Sequence, residues 1–204
     1  MGREQTILAA AAAAFEEKGF HGVSMDELGQ RAGLSGPALY RSFSGKDELL
    51  ATLLNEALDE LISATIQIHA DPALDLDRAL RHHIHFSATK RHLVGLYQRE
   101  SRSLADPWKR PFDRRQRQYI EKWELLFQQR FPALAQDHTA HSVQSVLGAI
   151  FSMTSWPRRT LRRGDVEAHL FTLIQGALAT LEQSTTTGSP LTVASQDGRK
   201  PSSP

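Results

Sequence analysis

The stretch Val23–Leu50, VSMDELGQRAGLSGPALYRSFSGKDELL, decides the fold. Ser24 stands three residues before Glu27, the capping-box spacing. The serine oxygen takes the Glu27 N–H there, and the glutamate reaches back to the N–H of Ser24. That helix stops at Gly33, after which Ala32, Gly33 and Leu34 provide a tight turn and a buried anchor. Ser35 then opens a helix only about two turns long, with Pro37 in the first turn, where a missing N–H has no partner to lose. A much longer helix follows at once, capped by Ser44, and Leu49, Leu50, Leu53, Leu54, Ala57, Leu58, Leu61 and Ile62 give it a broad apolar stripe reaching about Ile68. A short helix carrying the exposed-looking pair Tyr40-Arg41 between two such neighbours adds little to a core. It suits a surface laid against a regular polyanion.

Outward from this stretch the helical period continues in both directions, with no sustained period-two alternation, so the chain reads as all-α. A first helix over about Arg3–Lys18 places Ile7, Leu8, Ala11 and Phe15 on one face and stops at Gly19. Beyond HADPALDLD the pattern predicts helices over about 75–104, 111–131, 138–156 and 165–183. From Ser184 the composition turns to Ser, Thr, Gly and Pro, the signature of a disordered tail. The domain division is therefore 1–48, 49–183 and a tail over 184–204.

With 204 residues, 40% of them hydrophobic, the chain can bury a proper core, and with no cysteine it has neither disulfides nor thiol chemistry. The run Ala9–Ala14 is too short to span a bilayer and is flanked by Glu4, Glu16, Glu17 and Lys18, so the reading is a cytoplasmic, nucleoid-associated protein with no membrane partner. Net charge is +1, unevenly spread. Residues 1–50 carry five Lys/Arg against seven Asp/Glu, whereas residues 78–130 carry thirteen against five. If the first segment binds DNA, it must do so through a few placed groups and not a general positive field, which predicts modest nonspecific affinity and a dimer for tight binding.

The ordered set comprising the aromatic-bearing first helix, the Gly-Phe bend, the Val-Ser start, the Gly-Leu-Ser turn, the Leu-Tyr pair, Phe43 and the Lys-x-Glu-Leu opening of the fourth helix covers roughly residues 5–55. It closely resembles the N-terminal domain of TetR/AcrR-type bacterial transcriptional regulators. The resemblance implies a three-helix helix-turn-helix domain followed by a helical ligand-binding and dimerisation domain, and a homodimer on a near-palindromic double-stranded DNA operator. It also implies repression relieved by a small lipophilic effector.

Residues able to reach DNA are then Ser24, Ser35, Gly36, Pro37, Ala38, Tyr40, Arg41, Ser44 and Lys46. Gly36 permits close backbone approach, Ala38 can touch a thymine methyl, and Arg41 alone in the helix can make bidentate contact with guanine. Tyr40 and Lys46 suit phosphate oxygens, as do Ser24 and Ser44, although capping suffices to explain both serines. One short helix reads too few base pairs to find a genomic site, so two copies are needed about one DNA turn apart. The apolar stripes Val143, Leu147, Ile150 and Val166, Leu170, Leu173, Ile174, Ala177, Leu181 are the candidate isologous interface.

Candidate walls of an effector pocket are Phe86, Leu93, Leu96, Tyr97, Phe112, Tyr119, Trp123, Phe127, Phe151 and Trp156, with Arg99 and Arg102 at a cationic rim. Such a rim beside an apolar cavity suits an amphiphilic anion such as a fatty acyl-CoA. His82, His83 and His85 lack a completing ligand set, and although His138 and His141 could clamp a metal with Asp137, all five are read as surface or interface histidines. There is no phosphate loop, nucleophile elbow or metal motif, so no enzyme and no cofactor is expected. The competing reading is a constitutive architectural DNA-binding protein without ligand control.

Overall fold

The computed structural model describes residues 2–162 and 164–186, with side chains described to Ser184; the tail expected over 184–204 falls outside the described residues from 187 onward. Ten α-helices follow in order: α1 Arg3–Lys18, α2 Met25–Arg31, α3 Gly36–Tyr40, α4 Lys46–Ser63, α5 Pro72–Thr89, α6 Arg91–Glu100, α7 Lys109–Arg130, α8 Gln136–Ser152, α9 Arg158–Leu161 and α10 Val166–Thr186. No strand occurs among the described residues. The apolar core runs without interruption from Ile7 on α1 to Leu178 on α10, so the N-terminal helices and the C-terminal bundle share one interior.

Local chemistry explains where the helices begin and end. Gly33 ends the α2 turn at φ 68, and Leu34 N–H closes that turn on Gly29 O at 2.8 Å. Such a φ strains any residue with a Cβ. At Gly22 the constraint is contact: a Cβ there would sit 2.4 Å from Lys18 O. The stripe expected to reach Ile68 stops as a helix at Ser63, and Ile66 and Ile68 are exposed. Beyond it, the buried carboxylate of Asp75 accepts the N–H groups of Ile68 and His69 and meets His69 Nδ1 at 2.7 Å, tying the connection to α5.

The single helix expected over about 75–104 is two helices. Lys90 leaves helical geometry at φ −109, ψ 35, while its N–H still bonds Phe86 O at 2.7 Å. This break lets α6 turn back and lie against α1, α4 and α5. The short α9 also lies where no separate helix was expected.

Helix α10 is moored on α5 and α7. Gln175 Nε2 donates to Asp77, the Arg81 guanidinium lies 3.7 Å over the Phe171 ring, and Arg130 forks onto both Glu182 oxygens at 2.9 and 2.8 Å.

Candidate nucleic-acid interface and effector cavity

Helices α2 and α3 are held by α1. Arg31 pairs with Glu17 and with Glu27, and Lys18 with Glu27, each at 2.8 Å. The Arg31 guanidinium holds the Glu17 carboxyl below the usual range, and the Lys18 ammonium does the same for Glu27. Glu27 N–H donates to Ser24 Oγ at 3.2 Å, as a cap requires, but the Glu27 carboxylate faces these two cations. The reciprocal half of the expected capping box is therefore replaced by an ion-pair cluster. Arg3 Nη2 donates to Ala38 O at 2.7 Å, pinning the start of α1 to α3. Spacing along α1 carried no signal for that contact.

On α3 itself Leu39 is wholly buried, and Ala38 is 7% exposed with its carbonyl engaged by Arg3. Ala38, expected to touch a thymine methyl, thus leaves little of its surface open in the free chain. Ser35 and Pro37 are exposed and Gly36 is half-buried. Tyr40 is 54% exposed, and exposed Arg41 follows as the C-cap. Among the five cations of residues 1–50, Lys18 and Arg31 are ion-paired, Arg3 is on Ala38 O and Lys46 is on two carbonyls. Of these five, only Arg41 has no hydrogen-bond or ion-pair partner among the described residues.

Ser24, Tyr40 and Lys46, distant in sequence, line one open cleft of about 560 Å³ together with His21, Gly22, Val23, Met25 and Asp26. Ser44 is displaced from its expected capping role, since Gly45 is the N-cap of α4 and both Ser44 N–H and Oγ donate to Glu48 Oε2, at 2.6 and 2.7 Å. Lys46 Nζ donates to Phe20 O at 3.1 Å and Val23 O at 3.3 Å and lies 4.6 Å from the Phe20 ring centroid. It fastens α4 to the α1–α2 bend and keeps one N–H for the cleft. Phe20 is also held through its other backbone group: its N–H donates to Glu100 Oε1, at the end of α6, at 3.1 Å.

A second cavity lies inside the C-terminal bundle. Leu54, Ala57, Leu58 and Leu61 of α4 face Phe86 of α5, Leu93, Val94 and Tyr97 of α6, Tyr119 of α7 and Phe151 of α8. Its free volume is only about 20 Å³, room for about one water. Of the expected pocket residues, Phe86, Leu93, Tyr97, Tyr119 and Phe151 line it. Leu96, Phe112, Trp123 and Phe127 are buried core outside its walls, and Trp156 packs half-buried against the core. The four α4 residues were read as core stripe, because periodicity does not say which buried positions face a void. Burial pushes the Tyr97 phenol up, opposed by the hydrogen bond from Gln116 Nε2.

The expected cationic rim is corrected. Arg102 is exposed and no arginine lines the apolar cavity. Lys109 pairs with Asp113 and Arg110 with Asp106, both at 3.0 Å, and Arg115 bonds Asn55 and Asp59 of α4. Arg99 lies instead in an open polar cleft of about 610 Å³ that also holds Arg91, Arg158 and Arg162.

The expected dimer stripe also divides. Val143, Leu147 and Ile150 on α8, and Leu170 and Ile174 on α10, are buried within the single chain and are its core; Val166 and Leu181 are half-buried. What α10 exposes is Leu173, at 57%, with Gly176, Ala177 and Thr180, and α8 exposes His141, Ser145 and Gly148. The histidines divide too: His85 is exposed beside Glu167 at 3.1 Å, whereas His83 is wholly buried, a correction to the surface reading.

The comparisons with known proteins agree with this geometry. Residues 7–53 match the family described as bacterial regulatory proteins, tetR family. The transcriptional activator FasR of Mycolicibacterium smegmatis is 42% identical over 65 residues, which is 32% of this chain and 30% of that protein. The transcriptional regulator EthR of Mycobacterium tuberculosis is 36% identical over 76 residues, 37% of this chain and 35% of that one. The matches thus span about a third of these curated relatives' length. Among solved structures, AibR in complex with isovaleryl coenzyme A and operator DNA superposes with a TM-score of 0.72 at 22% identity, covering 86% of this chain and 97% of that one. The ketosteroid regulator KstR2 of Mycobacterium tuberculosis superposes with a TM-score of 0.71 at 22% identity, covering 90% and 94%. These likenesses establish a common fold along nearly the whole of the described chain.

Proposed function

We propose that this chain, whose residues 7–53 match the tetR family of bacterial regulatory proteins, is a homodimeric repressor of that family released from its operator by a lipophilic small molecule. The observation that carries the proposal is the double grip on Phe20. Lys46, at the start of α4, holds its carbonyl and Glu100, at the end of α6, holds its N–H. Farther along, the same two helices supply seven of the ten walls of the apolar cavity. A molecule too large for 20 Å³ must part α4 from α6 to enter, and that movement is delivered to the bend preceding α2.

In this reading Arg41 reads a base edge, with Ser35, Gly36 and Pro37 offering close approach. Tyr40, Lys46 and Ser24 meet phosphate across their shared cleft. The dimer closes through the exposed faces of α8 and α10, which sets two copies of α3 one DNA turn apart. No described helix is long and apolar enough to cross a membrane, and the chemistry is binding and release, without an enzymatic step. No charged side chain lines the cavity, so an acyl-CoA effector would bury its acyl chain there and leave its phosphates outside, where the arginine cleft across α6 is the one prepared surface.

The test is retention of a duplex fragment from the protein's own genomic locus, followed by fluorescence anisotropy with and without added lipophiles. We expect a dimer by light scattering and a loss of affinity of tenfold or more with an effective lipophile. A monomer that ignores every such fragment sinks the reading. Affinity untouched by any lipophile favours the architectural alternative.

A further inference from the structure

Three polar side-chain atoms at the packing of α5 on α7 have no hydrogen-bond partner, His83 Nε2, Tyr119 Oη and Trp123 Nε1, and neither has buried Ser87 Oγ on α5. The first three belong to rings in mutual contact. His83 and Ser87 are one turn apart on α5, and Tyr119 and Trp123 one turn apart on α7. The His83 and Tyr119 rings lie nearly parallel with centroids 5.7 Å apart, and the His83 and Trp123 rings nearly perpendicular with centroids 4.7 Å apart. The Trp123 N–H approaches the Tyr119 hydroxyl without reaching hydrogen-bond geometry. A folded interior pairs nearly all its buried polar atoms, so three unpaired ones in one place require a reason.

Their chemistry is specific. His83 Nδ1 lies 2.8 Å from Ala79 O; since a carbonyl only accepts, Nδ1 bears the hydrogen and Nε2 is a bare acceptor. The indole N–H only donates, and the two hydroxyls do either. Tyr119 belongs to both worlds, being at once a wall of the apolar cavity and the residue on which His83 stacks. The other polar wall residue, Tyr97, already has Gln116 as a partner. No Lys, Arg, Asp or Glu lines the cavity, and burial keeps His83 uncharged, its pKa lowered to about 3. A carboxylate brought here would lose its hydration and meet no cation.

We propose that the buried end of the effector carries an uncharged hydrogen-bonding oxygen, a carbonyl or a hydroxyl, and that Tyr119 receives it at the inner wall of the cavity with Trp123, His83 and Ser87 completing the polar set. This rests on the reading of the apolar cavity as the effector site. It narrows the effector from lipophiles in general to neutral ketones, esters and alcohols, and it excludes both free fatty acids that enter carboxylate first and an acyl-CoA whose buried end is a bare methyl.

The experiment is isothermal titration calorimetry of the full chain at pH 7.5 with 2-octanone, 2-octanol, octanoate and 1-chlorooctane, repeated on Tyr119→Phe. The ketone and alcohol bind at least tenfold more tightly than octanoate. Tyr119→Phe weakens both by fivefold or more and leaves 1-chlorooctane, which has no oxygen to be received, within twofold. That unchanged binding also shows the variant to be folded. Octanoate binding as tightly as the ketone, a variant that weakens all four probes alike or none, or absence of binding by all four at 1 mM overturns the proposal. Anisotropy on the operator fragment in the same solutions separates the two readings. A ketone that binds through Tyr119 yet leaves DNA bound upholds the polar site and removes the control function; release without dependence on Tyr119 does the reverse.

Discussion

Arg41 is the charge that the N-terminal segment leaves free. Its four fellow cations are spent on Glu17, Glu27 and three backbone carbonyls, so replacing it should weaken DNA binding without loosening the fold. We expect Arg41→Ala to cost about 1–3 kcal/mol per half-site in operator binding, measured by anisotropy, with an unchanged melting temperature. Loss of binding accompanied by a lowered melting temperature would assign Arg41 to packing. Lys46 differs, because its ammonium is a structural tie as well as a possible phosphate contact, and Lys46→Ala should lower both readouts. Gly22 shows how little room the bend has: a methyl 2.4 Å from Lys18 O forces the backbone to shift. Gly22→Ala should destabilise by about 1–3 kcal/mol, read as a drop in the midpoint of urea unfolding.

Between helices, the decisive contact is α6 to the α1–α2 bend through Glu100. Removing that carboxylate leaves the Phe20 N–H without its partner and loosens α6 from the bend, although α6 still packs on α1; under the proposed mechanism this weakens the path from cavity to DNA. Effector binding should then be unaltered while its effect on DNA shrinks. We expect Glu100→Ala to keep the effector dissociation constant within twofold and to reduce the effector-induced shift in operator affinity by about half of a coupling typically worth about 1–3 kcal/mol. A full-sized shift would show that Lys46 and α4 carry the signal alone. Helix α10 offers a parallel test of assembly. Leu173 is 57% exposed on one chain, beside Gly176 and Ala177, so a charge there costs the monomer little and an isologous interface a great deal. Leu173→Glu should run as a monomer in light scattering and lose operator binding, with its helical content preserved.

For the molecule entire, pH is the instructive variable, because its interior holds a histidine that must stay neutral. His83 has its pKa lowered to about 3 by burial, with the Ala79 carbonyl opposing and His82 reinforcing the shift. The unfolded chain therefore binds a proton near pH 6.5 that the folded chain refuses until about pH 3. Stability is fully present above pH 6.5 and is lost as pH falls through that window. At pH 5 the loss amounts to about 2 kcal/mol. Carboxylates held below their usual range, such as Glu17, Glu27 and Glu182, add to acid loss only below their ordinary value of 4.5. The melting temperature should consequently decline between pH 7 and 5, and His83→Phe should flatten that decline. An equal slope in the variant would show that another group is responsible.

The helix-turn-helix was legible in the chain from end to end, because each of its signals is local. Ser24 before α2, Gly33 after it, Pro37 in the first turn of α3 and the leucine stripe of α4 act within a few residues of where they stand. The same locality predicted every long helix except the division at Lys90, where neither glycine nor proline marks a break that α6 makes in order to pack on three neighbours. Contacts between distant segments had no such signature. A carbonyl at Ala38 claimed by Arg3, the carbonyl and N–H of Phe20 held by Lys46 and Glu100, and a ring at Tyr119 shared by a cavity and a buried histidine exist only once the helices have docked. Periodicity says that Val143 and Leu173 are both apolar positions on helices, but burial against α5 and α7 makes one of them core and leaves the other facing outward. Pattern along one helix states which face is oily; which neighbour covers that face is a property of the assembled bundle, since it depends on helices far away in the chain.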